Sequence, residues 1–258
     1  MKNSELKEKL DAHFLSYKMK FSSKDPVWIL HRFSDEKDIE LIGLITAAYA
    51  YGSVDQINRF INELLRKTGN KPYEFTINFS KRKDKKHLKD LYYRFNSHFD
   101  LLDMFCAIHK VLLDHGSLKN LFLKHYDDLH CNIIPALTGF TSELNKGITK
   151  AEKSSYHFLF SNPVNKSTCK RMNLFLRWMV RKDEIDTGIW NTIPTSKLLI
   201  PVDTHIARIS KKLELVVRKS IDLKYAIELT DRLKNFDAVD PVKYDFALCH
   251  IGIDKKKF

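Results

Sequence analysis

Apolar residues recur three and four positions apart along most of the chain, whereas the alternating patterns typical of strands are scarce. Only 8 glycines and 7 prolines interrupt the 258 residues. Residues 38–50 are apolar on every side, which predicts a helix at the centre of a core. Residues 54–67 carry their apolar side chains on one face and end before Gly69. The sequence therefore predicts an all-α fold, with further helices at 4–19, 86–95, 100–114, 117–126, 131–146, 167–181, 203–213, 221–235 and 241–252.

No internal repeat or low-complexity linker divides the chain. Residues 1–258 are therefore expected to form a single helical unit of two lobes with a cleft between them. A less regular stretch at 147–168 and an extended connection at 186–202 flank the strongest helix of the second half. The seam between the lobes is expected before this region.

The balance of charges favours a polyanionic partner. Lys and Arg total 44 against 32 Asp and Glu, so the formal net charge is +12. Contacts between such side chains and phosphates release condensed counterions, which makes nucleic acid a natural ligand. A protein that is merely basic is an equal alternative on charge alone. The run of basic residues at 81–86 is best interpreted as a solvated surface turn or helix start.

The four cysteines, Cys106, Cys131, Cys169 and Cys249, fit no zinc or iron–sulfur spacing. They are expected to be small buried apolar residues in a reducing compartment. No apolar run approaches the ~18 residues that a membrane span needs, and the first residues lack a signal-peptide core. We therefore expect a cytoplasmic protein with no cofactor, no metal and no iron–sulfur cluster.

The most informative segment lies within residues 160–215. In the run from Pro201 to His205, Asp203 stands where it can cap a helix that follows, and the helix dipole favours a carboxylate there. Pro201 restricts the backbone approach. On these grounds alone Asp203 is a helix cap.

The run Pro201-Val202-Asp203-Thr204-His205, followed by an apolar residue and an arginine, resembles the catalytic-aspartate helix of the helix-hairpin-helix base-excision DNA glycosylases of the endonuclease III class. Lys170 matches the nucleophilic lysine of the bifunctional members, and Lys166 is its nearby rival. The spacing of 33 residues (203 − 170) is similar to that of archaeal 8-oxoguanine glycosylases. The blocks at 169–171, 175–181 and 240–248 also resemble an uncharacterised bacterial family of this superfamily.

This resemblance implies a two-lobed glycosylase-like fold and a DNA glycosylase that excises an oxidised or otherwise damaged base. Asp203 would stabilise the developing sugar cation, and Lys170 would attack the sugar carbon and give β-lyase activity. A buried position at a helix N-terminus would favour the neutral amine that such an attack needs. The base would be flipped out of the duplex.

The same resemblance suggests which residues contact DNA. At the hairpin these are Asn165, Lys166 and Ser167, and on the following helix Arg171, Arg177 and Arg181. The hairpin signature Leu-Pro-x-Val-Gly is absent, and Asn165 is expected to replace its glycine in a left-handed conformation. Arg177 and Arg181 could instead pair with Asp183 and Glu184. Tyr49, Tyr51 and Trp178 are candidates for a base pocket or wedge, with core packing as the alternative for each.

Two other functions are compatible with these features. A non-catalytic helix-hairpin-helix protein would keep the basic surface without bringing Lys170 and Asp203 together. An enzyme acting on RNA or on a small molecule could use the same scaffold.

Overall fold

A computed structural model describes residues 3–18, 25–146 and 154–253, and every regular element in these ranges is helical. The all-α prediction is confirmed. The β pairing within these ranges is confined to two isolated bridges, Tyr93 with Asn96 and Lys182 with Thr187. The α-helices, numbered in chain order, are α1 (Asn3–Lys18), α2 (Glu36–Ala48), α3 (Val54–Lys67), α4 (Pro72–Ile77), α5 (Lys81–Leu88), α6 (His98–His115), α7 (Leu118–Lys124), α8 (Ile134–Leu144), α9 (Ser154–Leu159), α10 (Lys170–Val180), α11 (Thr204–Lys212), α12 (Leu223–Lys234) and α13 (Tyr244–Ile253).

Two sequence predictions about the helices are wrong. The helix expected at 86–95 lies earlier, as α5, and residues 89–97 form turns around the Tyr93–Asn96 bridge. The basic run is thus helical, because lysine and arginine are good helix formers even without an apolar face. The short helices α4 and α9 were not predicted. Helix α4 begins at Pro72, a residue suited to a first helical turn as well as to a stop.

The chain divides into two compact units. One is made of Lys24–His130 and Ile134–Asn162, and we call it the inserted unit. The other, the split unit, is made of Met1–Ser23, Cys131–Ile133 and Pro163–Phe258. The split unit contains all of the predicted 160–215 segment from Pro163 onward.

Within the inserted unit, α2 is the buried helix that its composition predicts, since Ile39–Ala48 are all buried. Glu40 is the charged member of this buried run. Its carboxylate accepts hydrogen bonds from the backbone N–H groups of Leu118 (2.9 Å) and Lys119 (2.8 Å). A carboxylate at the start of α7 satisfies amides that have no partner within the helix. This explains how the core tolerates Glu40.

Within the split unit, α13 is packed on one side by α1 and on another by α11. The hydroxyl of Tyr244 donates a hydrogen bond to Asp11 Oδ1 (2.8 Å), although 233 positions separate them in sequence. The first helix of the chain is therefore held by the last one.

The described residues include no helix long and apolar enough to cross a membrane. They also contain no group of three His, Cys, Asp or Glu side chains that could hold a metal ion. None of the four cysteines forms a disulfide. Cys169 is buried as expected, but Cys131 is exposed, so the prediction of a buried thiol is wrong at that position.

Candidate active site

Lys170 is the first residue of α10, and the structure ties this helix start to the loop that precedes Asp203. The hydroxyl of Thr168 donates a hydrogen bond to the carbonyl oxygen of Val202 (3.2 Å). The backbone of Thr168 is held in turn by Asn173, whose side-chain amide donates to its carbonyl (2.9 Å). The Thr168–Val202 hydrogen bond joins residues 34 positions apart, and the Lys170 side chain is half-buried.

Asp203 caps α11, as its position in the sequence predicts. Its Oδ1 accepts hydrogen bonds from the backbone N–H groups of His205 (2.8 Å) and Ile206 (2.9 Å). Both capping bonds fall on one oxygen. Oδ2 makes no hydrogen bond with any of the described residues. The capping role therefore leaves half of the carboxylate available for a ligand.

A third ionisable group, the carboxyl of Asp245 in α13, is affected electrostatically by both Lys170 and Asp203. The pKa of Asp245 is raised to about 6, mainly by burial and in smaller part by the negative charge of Asp203. The positive charges of Arg177 and Lys170 oppose this rise. Since one carboxyl interacts electrostatically with both, Lys170 and Asp203 belong to one charged neighbourhood within the split unit.

Arg177 is part of this neighbourhood but does not point to solvent. Its side chain is buried and donates to Asp245 Oδ2 and, from Nη2, to Asp186 Oδ1 (3.1 Å). A buried guanidinium between two carboxylates satisfies the charges that burial would otherwise make costly. The expectation that Arg177 contacts a phosphate is therefore corrected: it holds α13 to α10.

Arg181, the residue directly after the end of α10, extends the same network. Its Nη1 donates to Asp183 Oδ2 (2.6 Å) and Asp186 Oδ2 (2.9 Å), and its Nε donates to Asp240 Oδ2 (2.9 Å). The predicted pairing with Asp183 is present, and the other partners come from residues that sequence spacing did not suggest. Arg181 is buried as well, so its expected phosphate contact is also corrected to a structural role.

The other residues expected to contact DNA differ in their exposure. Asn165 and Lys166 are exposed, Ser167 is half-buried, and Arg171 is buried within α10. The left-handed residues here are Lys166 (φ 59°) and Cys169 (φ 49°), not Asn165, which ends a short 3-10 turn at Pro163–Asn165. The carbonyl of Lys166 accepts a hydrogen bond from Leu223 N (2.9 Å), which fixes this unusual backbone.

The three aromatic candidates have different environments. Trp178 is buried in α10, and Tyr49 is buried against Phe60 with ring centroids 4.5 Å apart. Both pack in their cores, which is the alternative that the sequence left open. Tyr51 is half-buried in the inserted unit and stacks on the exposed ring of Phe95 (5.3 Å).

Sequence reasoning missed Asp245, which the structure makes central. A signal was present, because Asp245 stands inside the otherwise apolar run from Tyr244 to Leu248. An acidic residue in such a run is buried when its helix packs on both sides, and a buried carboxylate needs a cation. The partner, Arg177, is 68 positions away, so spacing alone could not identify it.

The fold and these side chains define an all-helical protein in which a lysine and an aspartate, each at a helix start, share a neighbourhood with a buried carboxylate. The chain belongs to the family described as a protein of unknown function (DUF2400), which it matches over residues 25–254. No curated protein matches the chain. No solved structure matches it either.

Proposed function

We propose that this protein is a base-excision DNA glycosylase with β-lyase activity, acting on an oxidised or otherwise damaged base. The observation that carries the proposal is that Lys170 and Asp203 both act electrostatically on the buried carboxyl of Asp245, while Thr168 is hydrogen-bonded to Val202. An amine and a carboxylate in one neighbourhood are the two groups that the reaction needs. The residues that flank them resemble the glycosylase motifs, and this resemblance supports a glycosylase over other enzymes that use a lysine and an aspartate.

In the proposed reaction the neutral amine of Lys170 attacks C1′ of the damaged nucleotide. A bond from Nζ to C1′ forms as the glycosidic bond from C1′ to the base breaks, and the base leaves with a proton. The available oxygen of Asp203 stabilises the positive charge that develops on the sugar. Opening of the sugar ring then gives an imine between Lys170 and the sugar, from which β-elimination cleaves the strand.

DNA would approach the split unit through exposed groups near the start of α10. Val164, Asn165 and Lys166 are all exposed there. The carbonyl of Lys166 is bonded to the start of α12, so the turn is held in place before any ligand arrives. With Arg177 and Arg181 buried in ion pairs, phosphate contacts would come from this turn and from other exposed basic side chains.

Borohydride trapping tests the proposal directly. Wild-type protein is incubated with an oligonucleotide that carries an abasic site or an oxidised purine, and borohydride reduces the imine to a stable crosslink. Lys170→Gln should abolish the crosslink, because an amide cannot form an imine. Glutamine is a good helix former and should leave α10 intact. The controls are Lys212→Gln, which removes one exposed charge from α11, and circular dichroism of each variant.

The outcomes separate the alternatives. A crosslink that survives in Lys170→Gln but not in Lys166→Gln would move the nucleophile to the rival lysine. Base release without any crosslink would indicate a monofunctional enzyme in which water attacks. If wild-type protein binds DNA but processes no lesion, the proposal is wrong and the non-catalytic alternative stands.

A further inference from the structure

The inserted unit exposes a group of aromatic rings that its core does not explain. Tyr51, Phe95 and Phe158 form a cluster that we call the aromatic platform. The ring of Phe158 meets Tyr51 (5.0 Å) and Phe95 (4.9 Å) edge-on, while Tyr51 and Phe95 are stacked. Phe95 is 54% exposed and Phe158 is 39% exposed. Contiguous exposed apolar surface of this kind usually marks a binding site.

The backbone holds the platform in a fixed shape. Tyr93 and Asn96 exchange backbone hydrogen bonds (2.8 and 2.9 Å), so Arg94 and Phe95 form the tip of a tight turn. Arg94 has a positive φ of 54°, which is uncommon for a residue with a side chain. The hydroxyl of Tyr51 donates to the Asn96 side chain, and Asn96 donates to the carbonyl of Ser155 (2.8 Å). Phe95 is therefore presented on a locked turn and not on a loose loop.

Basic side chains lie close to the turn that carries Phe95 and to the start of α6. Lys85 in α5 lies over the ring of Phe99, with its Nζ 5.4 Å from the centroid, and Phe99 is 49% exposed. Arg82, Lys83 and Lys86 on the same helix are exposed, and within the described residues none of them makes an ion pair. Arg94 lies over the Tyr51 ring at 5.9 Å. Positive charge thus borders exposed aromatic surface in a single unit.

We propose that the aromatic platform and the exposed basic residues of α5 together bind unpaired nucleotides. Bases would stack on Phe95 and Phe158, and phosphates would lie along the basic face of α5. Aromatic rings and Lys or Arg side chains are the combination that binds single-stranded nucleic acid without sequence preference. An acidic partner alone would not account for the aromatic surface, and an apolar partner would not account for the charges. The inference rests on the proposed function because it takes DNA as the ligand. It adds that part of the bound DNA is single-stranded.

The test is fluorescence anisotropy of a labelled single-stranded oligothymidine, with the full chain. The double variant Phe95→Leu and Phe158→Leu keeps apolar side chains at both positions and removes the rings. Binding should weaken roughly tenfold for each ring that is removed. Leu129→Ala is the matched control, because Leu129 is an exposed apolar residue of the same unit without a ring. That variant should bind like the wild type.

A second arm tests the phosphate contacts. Lys83→Gln with Lys86→Gln should reduce the slope of log affinity against log salt by about 0.7 for each phosphate that the protein no longer neutralises. Lys110→Gln with Lys124→Gln removes two exposed charges elsewhere in the unit and should leave the slope unchanged.

Unchanged binding by the leucine variant would overturn the inference. So would a wild-type protein that self-associates through these rings while the variant is monomeric and binds the oligonucleotide equally well. Neither readout involves catalysis. A failed trapping experiment would therefore refute the proposed function but not the nucleotide-binding role of the platform. Unchanged binding by the leucine variant would refute that role but not the proposed reaction of Lys170.

Discussion

Replacing Asp245 by asparagine should change how the stability of the protein depends on pH. The folded-state pKa of Asp245 is raised from 3.8 to about 6, mainly because the carboxyl is buried. A raised pKa means that folding favours the protonated form. The stability that this group contributes is fully present below pH 3.8 and is lost as the pH rises through about 6.

The size of the effect follows from the two pKa values. The difference between 3.8 and about 6 corresponds to about 3 kcal/mol of unfolding free energy, most of it lost by neutral pH. Asparagine has the shape of the protonated carboxyl and can still accept from Arg177, but it cannot ionise. Near pH 4 the variant and the wild type should have similar stabilities. Near pH 7 the free energy of unfolding of the variant should exceed that of the wild type by about 3 kcal/mol.

Urea unfolding at a series of pH values between about 4 and 8 measures this difference. Asp183→Asn is the matched control, since Asp183 belongs to the same network but its pKa is lowered, with Arg181 and backbone N–H groups as the causes that overcome burial. Its stabilising contribution is present above pH 3.8 and is lost only as the pH falls below that value, so the difference between this variant and the wild type should stay nearly constant between pH 4 and 8. Parallel curves for wild type and Asp245→Asn would refute the reasoning.

Two further changes have definite expected results. Asp203→Asn should slow base excision roughly 10²–10³-fold in single-turnover assays, because the anion facing the sugar is removed; its melting temperature should change little, since asparagine also caps helices. An unchanged excision rate would restrict Asp203 to capping. Gly188→Ala should destabilise the split unit by more than about 1–2 kcal/mol, because Gly188 has a φ of 61° and a Cβ there would lie 2.4 Å from Lys182 Cβ. Denaturant midpoints measure this cost, and Gly69→Ala, which has a similar φ of 68° but open space around it, separates the strain from the clash.

The helices with a clear apolar face were predictable in detail, whereas charged or very short ones were not. For α3 the sequence has a serine cap at Ser53, apolar residues at helical spacing and Gly69 after the end, and the observed bounds agree with the predicted 54–67. For α5 these signals are missing, because its single buried residue is Leu88. Its helical state depends on residue propensity and on contacts with α3 and α6.

The candidate site was predictable in its local parts but not in its long-range ones. That Asp203 caps a helix follows from its neighbours in sequence, and the structure confirms it. The burial and ion pairing of Arg177 and Arg181 depend on Asp245 and Asp240, which are 68 and 59 positions away in the sequence. No local pattern shows whether an arginine on a helix meets a phosphate or a distant aspartate, since both interactions use the same charge and the same donors.

The pairing of α1 with α13 has a consequence for the order in which the protein can form during synthesis. A ribosome adding about 5–20 residues per second needs about 10–45 seconds to go from the end of α1 to the start of α13. During this time α1 has emerged without the helix that covers it, while the inserted unit is completed between them. The neighbourhood of Lys170, Asp203 and Asp245 therefore assembles last, after α13 has emerged. A chain released before that point would leave Leu6 and Leu10 of α1, which are buried in the complete protein, without the helix that packs on α1.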